Sequence, residues 1–258
     1  MRLALLGDPV AHTRSPAIHA AALTAVGLEG RYEARRVDEA GVYRACAEMR
    51  AGTLDGANVT MPHKRIAAAA ADWCDPTAQQ CGAVNTLVPQ EGTVIGHNTD
   101  VTGIRMLWER MALPPAGVLV MGAGGAAAAA LVACEGHPLL LSARRPEAAE
   151  AIVAIGGDAA RIVPWGEPVP GAVVINATPL GSSGEALPAG VVAEAVALLD
   201  MAYRTCGSGT TPAVAAARRR GLAVADGIDL LVAQAAGSFT LWTGRPAPFD
   251  IMEAAARG

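Results

Sequence analysis

One ten-residue stretch constrains the fold more than any other. Val118-Leu119-Val120-Met121-Gly122-Ala123-Gly124-Gly125-Ala126-Ala127 runs from an apolar segment through a glycine turn into an alanine tract. A short apolar run of this kind suits a strand buried on both faces. The alanines that follow are strong helix formers. The spacing is G-x-G-x-x-A, and each small residue has a task. Gly122 permits the tight turn, Gly124 lets an anion meet the backbone, and Ala127 lets the helix pack close to the strand. The first N–H groups of such a helix face outward with the positive end of its dipole, a setting for a pyrophosphate. A buried strand that feeds a crossover helix commits this part of the chain to a parallel α/β sheet.

The rest of the chain repeats that alternation, so the fold class is α/β. Strands are expected at Arg2 to Leu6, Tyr32 to Val37 and Leu54 to Val59, with helices at Pro16 to Val26, Glu39 to Arg50 and Ile66 to Trp73. Ala83 to Val88 and Thr93 to His97 should form a hairpin around Gln90-Glu91-Gly92. A helix from Val101 to Met111 ends before Pro114-Pro115, a stiff break where a second α/β series begins. Its strands are Val118 to Met121, Leu139 to Leu141, Ala160 to Val163, Ala172 to Ile175, Ala197 to Asp200 and Ala223 to Ala225. Helices Ile228 to Trp242 and Asp250 to Ala256 close the chain.

With 258 residues the chain can form two ordinary domains. Aromatics make up only 3% of it, so the core must be built from Ala, Val, Leu and Ile. A net charge of −4 argues against nucleic acid or an anionic membrane as a partner. No apolar run approaches the roughly 20 residues of a membrane span, and a cytoplasmic location is expected. Cys46, Cys74, Cys81, Cys134 and Cys206 form no C-x-x-C pair and read as buried small hydrophobes. The histidines lack ligand spacing, so no metal is expected.

Chemistry-bearing groups gather at element ends. Asn58-Val59-Thr60-Met61-Pro62-His63-Lys64 puts an amide, a hydroxyl and an amine between a strand and a helix, where open α/β sheets bind ligands. Lys64 can be a proton donor to a carbonyl or a surface charge. Ser15 either caps a helix or joins Thr13 in donating to a carboxylate. Asp100 either caps the helix after it or orients Lys64. Gln234 lies on an apolar helix face, so its amide needs a partner, from a ligand or from the backbone. After the second strand of the glycine-turn unit comes Ser142-Ala143-Arg144-Arg145, with no acid to hold a ribose 2′-OH. Guanidinium groups there suit a 2′-phosphate, which favours NADP(H) over NAD(H). Otherwise these two arginines are solvated charges. Arg218-Arg219-Arg220 ends a helix before Gly221, and dipole complementation accounts for it.

Several segments, taken together and in order, resemble the shikimate dehydrogenase family. They are Ala11-His12-Thr13-Arg14-Ser15-Pro16, Asn58 to Lys64, Gly82-Ala83-Val84-Asn85-Thr86, Asn98-Thr99-Asp100, Gly122 to Ala126, Asn176-Ala177-Thr178-Pro179 and Asp226-Gly227 with Val232-Ala233-Gln234-Ala235. The resemblance covers essentially the whole chain. It implies an α/β substrate domain over residues 1–100, a Rossmann-type NADP domain over 101–226 and C-terminal helices over 227–258 that return to the first domain. It implies Lys64 and Asp100 as the catalytic pair, and Thr13, Ser15, Thr60, Asn85 and Gln234 as substrate-binding groups. Cofactor contacts would come from Gly122, Ala123, Gly124, Gly125, Ala126, Arg144, Arg145, Thr178, Met201 and Gly227. The implied reaction is NADP-dependent reduction of 3-dehydroshikimate to shikimate in aromatic amino-acid biosynthesis, in an interdomain cleft that closes, by a monomer or homodimer. Departures from the family pattern are Thr13 for Ser, His97 for Asp, Ala143 for Asn, Arg145 for Thr and Ala148 for a second arginine. They leave open an NAD-using quinate/shikimate dehydrogenase. A dinucleotide-sensing protein without turnover is the alternative outside enzymes.

Overall fold

The computed structural model describes residues 1–113, 115–204 and 209–258. The chain divides into two compact units, Met1–Gly103 with Leu231–Gly258, and Ile104–Leu230. Pro114 and Cys206 lie outside the described residues. Among the described residues, no helix is long and apolar enough to cross a membrane.

Elements β1 (Arg2–Gly7), α1 (Ser15–Ala25), β2 (Arg31–Arg36), α2 (Glu39–Arg50), β3 (Gly56–Val59) and α3 (Lys64–Ala70) open the chain. β4 (Trp73–Cys74), α4 (Pro76–Cys81), β5 (Thr86–Gln90), β6 (Thr93–His97) and α5 (Thr99–Met111) follow. The first sheet has the order β2-β1-β3-β5-β6-β4. β1 pairs in parallel with β2 and β3, whereas β5 runs antiparallel to both β3 and β6. That reversal comes from the tight β5–β6 hairpin, in which Glu91 (φ 50°) and Gly92 (φ 78°) both take positive φ. A core of Ala4, Leu6, Val42, Cys46, Met49 and Leu87 lies between the sheet and α2 and α3.

The second unit contains β7 (Val118–Met121), α6 (Gly125–Ala133), β8 (Leu139–Ser142), α7 (Pro146–Val153), β9 (Ala160–Val163), β10 (Val173–Asn176) and β11 (Ala197–Asp200). α8 (Pro212–Arg219) and β12 (Ala223–Ala225) complete its regular elements, and α9 (Gly227–Thr243) and α10 (Phe249–Arg257) end the chain. Its sheet is parallel throughout, in the order β12-β11-β10-β7-β8-β9. Strand order reverses between β7 and β10, the switch point where such sheets bind nucleotides. Ala127, Ala128, Ala129 and Ala130 of α6 are all buried, as close helix–strand packing requires. The expected two-domain α/β architecture is borne out. So is the return of the C-terminal helices: α10 packs on α1, and the Arg14 guanidinium donates to Ala256 O at 2.5 Å.

Several local expectations are corrected. The helix expected to reach Trp73 stops at Ala70, because Asp72 N donates to Val94 O and Trp73 of β4 pairs with Ile95 of β6. Tertiary pairing there overrides the alanine preference for helix. α4, capped by Asp75 Oδ1 on Ala78 N, was not foreseen. Ser15 is the first helical residue of α1, not its cap. Cys46, Cys81 and Cys134 are buried, but Cys74 is only half-buried.

Candidate active site

The loop after β3 is held by backbone before any side chain acts. Val59 N donates to Asn85 O, Thr60 N to Leu6 O and His63 N to Thr60 O, at 2.8–2.9 Å. Gly7 makes room for this loop, since a Cβ there would lie 2.3 Å from Thr60 Cγ2. Lys64 therefore opens α3, where the positive dipole end disfavours an ammonium. Asp100, in the first turn of α5, supplies the compensation: Lys64 Nζ lies 2.5 Å from Asp100 Oδ2. Their side chains are 18% and 8% exposed, so this is an ion pair largely withdrawn from water. Asp100 does not cap α5. Asn98 Oδ1 accepts from Asp100 N at 3.2 Å and leaves the carboxylate to the lysine.

Behind the ion pair lies a buried network of amides and hydroxyls. Asn85 Oδ1 accepts from Thr99 N at 2.8 Å and from the hydroxyls of Thr86 and Thr99 at 3.0 and 3.1 Å. Asn58 Nδ2 donates to Asn85 O, Thr86 Oγ1 and Ser238 Oγ at 2.9–3.1 Å. The Ser238 hydroxyl lies 2.8 Å from that of Thr86 and 3.2 Å from that of Thr99, and it donates to Gln234 O at 3.1 Å. α9 is thereby tied to β3, β5 and the start of α5. The Gln234 amide donates to Leu231 O at 3.0 Å, so backbone satisfies part of its need. Thr13 Oγ1 accepts from Ser15 N and donates to Ser15 Oγ, both at 3.2 Å.

The structure thus brings Lys64 to Asp100, Thr13 to Ser15, and Asn85 to the residue preceding Asp100. It links Gln234 to that network through Ser238. Thr60 sits half-buried on the same loop as Lys64. Sequence reasoning passed over Tyr32, Thr86, Thr99 and Ser238. A signal existed for Ser238, a hydroxyl four residues after Gln234 on one face of α9. His97, a departure from the family pattern, is spent on structure: its Nδ1 meets Asp75 Oδ2 at 2.6 Å.

In the second unit the glycine turn has the expected form. Gly122 has φ 115°, and a Cβ on it would lie 2.8 Å from Ala177 O, so only glycine fits beside β10. Gly124 takes the N-cap position of α6 without any side-chain cap, and nothing would lie within 4 Å of a Cβ there. An open turn, uncapped N–H groups and a helix dipole make a cradle that fits a pyrophosphate. Ala123, Gly125 and Ala126 are part-exposed on the same turn, and Arg144 and Arg145 are exposed beyond β8.

Thr178, Met201 and Gly227 gather at the neighbouring strand ends. Thr178 Oγ1 donates to Asn176 Oδ1 at 2.6 Å, and Met201 N to Asn176 O at 3.0 Å. A Cβ on Gly227 would lie 2.3 Å from Ala202 O. Asp200 organises this region from full burial. Asn176 Nδ2 and Ala202 N donate to its Oδ1 at 2.8 and 3.1 Å, and Thr211 Oγ1 donates to Oδ2. Burial dominates and pushes the Asp200 carboxyl up to about 6, against the pull of Thr211 and Asn176. The arginine run is structural, as expected: Arg220 donates to Val192 O and Ala195 O, and Arg218 pairs with Asp226. Among the described residues, no group of three His, Cys, Asp or Glu could hold a metal ion.

Comparison with known proteins gives the same picture over the full length. The shikimate dehydrogenase substrate binding domain family matches residues 5–87, and the shikimate 5′-dehydrogenase C-terminal domain family matches residues 227–257. A shikimate dehydrogenase (NADP(+)) of Thermus thermophilus is 39% identical, over 100% of this chain and 98% of its own. One from an Anaeromyxobacter species is 40% identical, over 97% and 94%. The crystal structure of the Thermus thermophilus shikimate 5-dehydrogenase in complex with NADP(H) and shikimate has a TM-score of 0.87 at 39% identity, covering 100% and 98%. A Listeria monocytogenes shikimate 5-dehydrogenase in complex with shikimate and NAD has a TM-score of 0.83 at 25% identity, covering 98% and 95%. This chain belongs to the shikimate dehydrogenase family.

Proposed function

We propose that this chain is an NADP-dependent oxidoreductase that interconverts 3-dehydroshikimate and shikimate, with Lys64 and Asp100 as its catalytic pair. The observation that carries the reading is the 2.5 Å Lys64–Asp100 contact beside the Asn58–Asn85–Thr99 network. A lysine at a helix start, shielded from water and held by one carboxylate, has no structural task that an apolar residue would not perform better.

NADPH, when bound, supplies the hydride for carbonyl reduction. Lys64 stabilises the negative charge that develops on the carbonyl oxygen and gives that oxygen a proton. In the oxidative direction the same nitrogen takes the hydroxyl proton. Asp100 holds the ammonium and has a second oxygen for a substrate hydroxyl. The Thr13 and Ser15 hydroxyls, at the start of α1, are suited to the substrate carboxylate. Asn85 spends its carbonyl oxygen on Thr86 and Thr99, so its NH2 is the group it can offer to a ligand. Thr60 and Gln234 supply further contacts to ring hydroxyls.

The Gly122–Ala126 turn would take the pyrophosphate, with Thr178, Met201 and Gly227 at the nicotinamide end. Exposed Arg144 and Arg145, with no acid between them and β8, favour a 2′-phosphate. Initial rates with shikimate and quinate, each with NADP and NAD, test the reading. Shikimate with NADP is expected to be the best pair. A preference for quinate with NAD overturns it, as does cofactor binding without turnover.

A further inference from the structure

His19 is fully buried on α1, four residues after Ser15 and hence on the same helix face. Neither of its ring nitrogens makes a hydrogen bond. Burial holds the imidazole neutral, pushing it down to about 3 against the influence of nearby Asn58. Its flat face is stacked on Tyr32, with ring centroids 4.4 Å apart and planes 11° apart. Trp242 flanks both rings, 5.3 Å from His19 and 6.3 Å from Tyr32. Room for that indole comes from Gly56, where a Cβ would lie 2.3 Å from Trp242 Nε1.

The stack ends at the candidate site. Tyr32 Oη donates to Asn58 Oδ1 at 2.8 Å, and a carbonyl oxygen can only accept. The single Tyr32 proton is therefore committed to Asn58. Asn58 Nδ2 in turn donates to Asn85 O, Thr86 Oγ1 and Ser238 Oγ. The position of the phenol thus sets the Asn58 amide, and through it the Asn85 main chain.

We infer that His19 and Tyr32 are positioning residues for substrate binding: the His19 ring is a flat platform that holds the Tyr32 hydroxyl on Asn58, and Asn58 holds Asn85. The inference rests on the proposed dehydrogenase reading. It predicts that shape, not hydrogen bonding, is what His19 contributes.

Four variants test it: His19→Phe, His19→Leu, Tyr32→Phe and the double variant His19→Leu/Tyr32→Phe. His19→Phe keeps a flat ring and should leave the shikimate KM within about twofold. His19→Leu and Tyr32→Phe should each raise it about tenfold, the scale of one hydrogen bond lost from the network that holds Asn85, with the NADP KM unchanged. The double variant should be no worse than Tyr32→Phe, because His19 acts through that hydroxyl. A His19→Phe variant as impaired as His19→Leu overturns the platform. Additive losses, or both KM values rising together, also overturn it. In parallel, the Asn58 side-chain amide NMR signals should shift in His19→Leu and Tyr32→Phe but not in His19→Phe. That readout needs no substrate. A wild-type protein inactive on shikimate would defeat the dehydrogenase reading, while the amide signals would still decide whether the stack positions Asn58.

Discussion

Asp200 should give the second unit a measurable dependence of stability on pH. Its carboxyl is fully buried and is raised from the ordinary 3.8 to about 6 in the folded chain. A raised acid binds its proton more tightly when folded than when unfolded. Its contribution to stability is therefore fully present below about pH 4 and is lost as pH rises through about 6. The shift corresponds to about 3 kcal/mol across that window. Asp200→Asn isolates the effect. The amide oxygen can still accept from Asn176 and Ala202, and the new NH2 can donate to Thr211 Oγ1, which now donates to Oδ2. Asp226, which raises the Asp200 carboxyl further, is paired with Arg218 and is unchanged in the variant. Urea unfolding of both proteins from pH 4 to 7.5 provides the assay. The stability difference should move about 2.4 kcal/mol in favour of Asp200→Asn between those limits. A difference constant to within about 0.5 kcal/mol would mean that Asp200 is not buried and coupled as described.

Three further outcomes are expected. Lys64→Ala should lower kcat at least about a hundredfold with NADP(H) binding nearly intact; equal turnover by the two proteins would remove Lys64 from the chemistry. Gly122→Ala forces a Cβ to 2.8 Å from Ala177 O at φ 115° and should cost about 1–3 kcal/mol, read as a Tm lower by several degrees together with weakened NADP binding. Arg144→Ala should raise the KM for NADP about tenfold while leaving that for NAD unchanged, and parallel changes in both would argue that the exposed guanidinium has no part in reading a 2′-phosphate.

The four interior strands of the second unit were legible because each is a short apolar run closed by glycine, proline or polar residues, and because interior parallel strands are buried on both faces. Val118 to Met121 and Ala197 to Asp200 needed no knowledge of their neighbours. The first unit was harder where pairing decides. Ala67 to Trp73 has helix propensity throughout, yet Asp72 and Trp73 give their backbone to β6 and the helix ends early. Site residues divide along the same line. Lys64, Asp100 and Asn85 announce themselves as polar groups at element ends. Whether Ser15 and Asp100 cap helices depended on the neighbours: Arg14 takes the N-cap position of α1, and Asn98 takes the Asp100 N–H. Tyr32, His19 and Ser238 stayed silent because each sits inside a regular element, on a face that reads as core. Their meaning comes from partners far along the chain, such as Asn58 with Ser238, 180 residues apart. A polar side chain on a buried face must find a partner or a reason to lack one. That rule would have singled out all three from helix and strand periodicity alone. In this fold the buried polar residues that periodicity exposes form the layer beneath the candidate substrate groups.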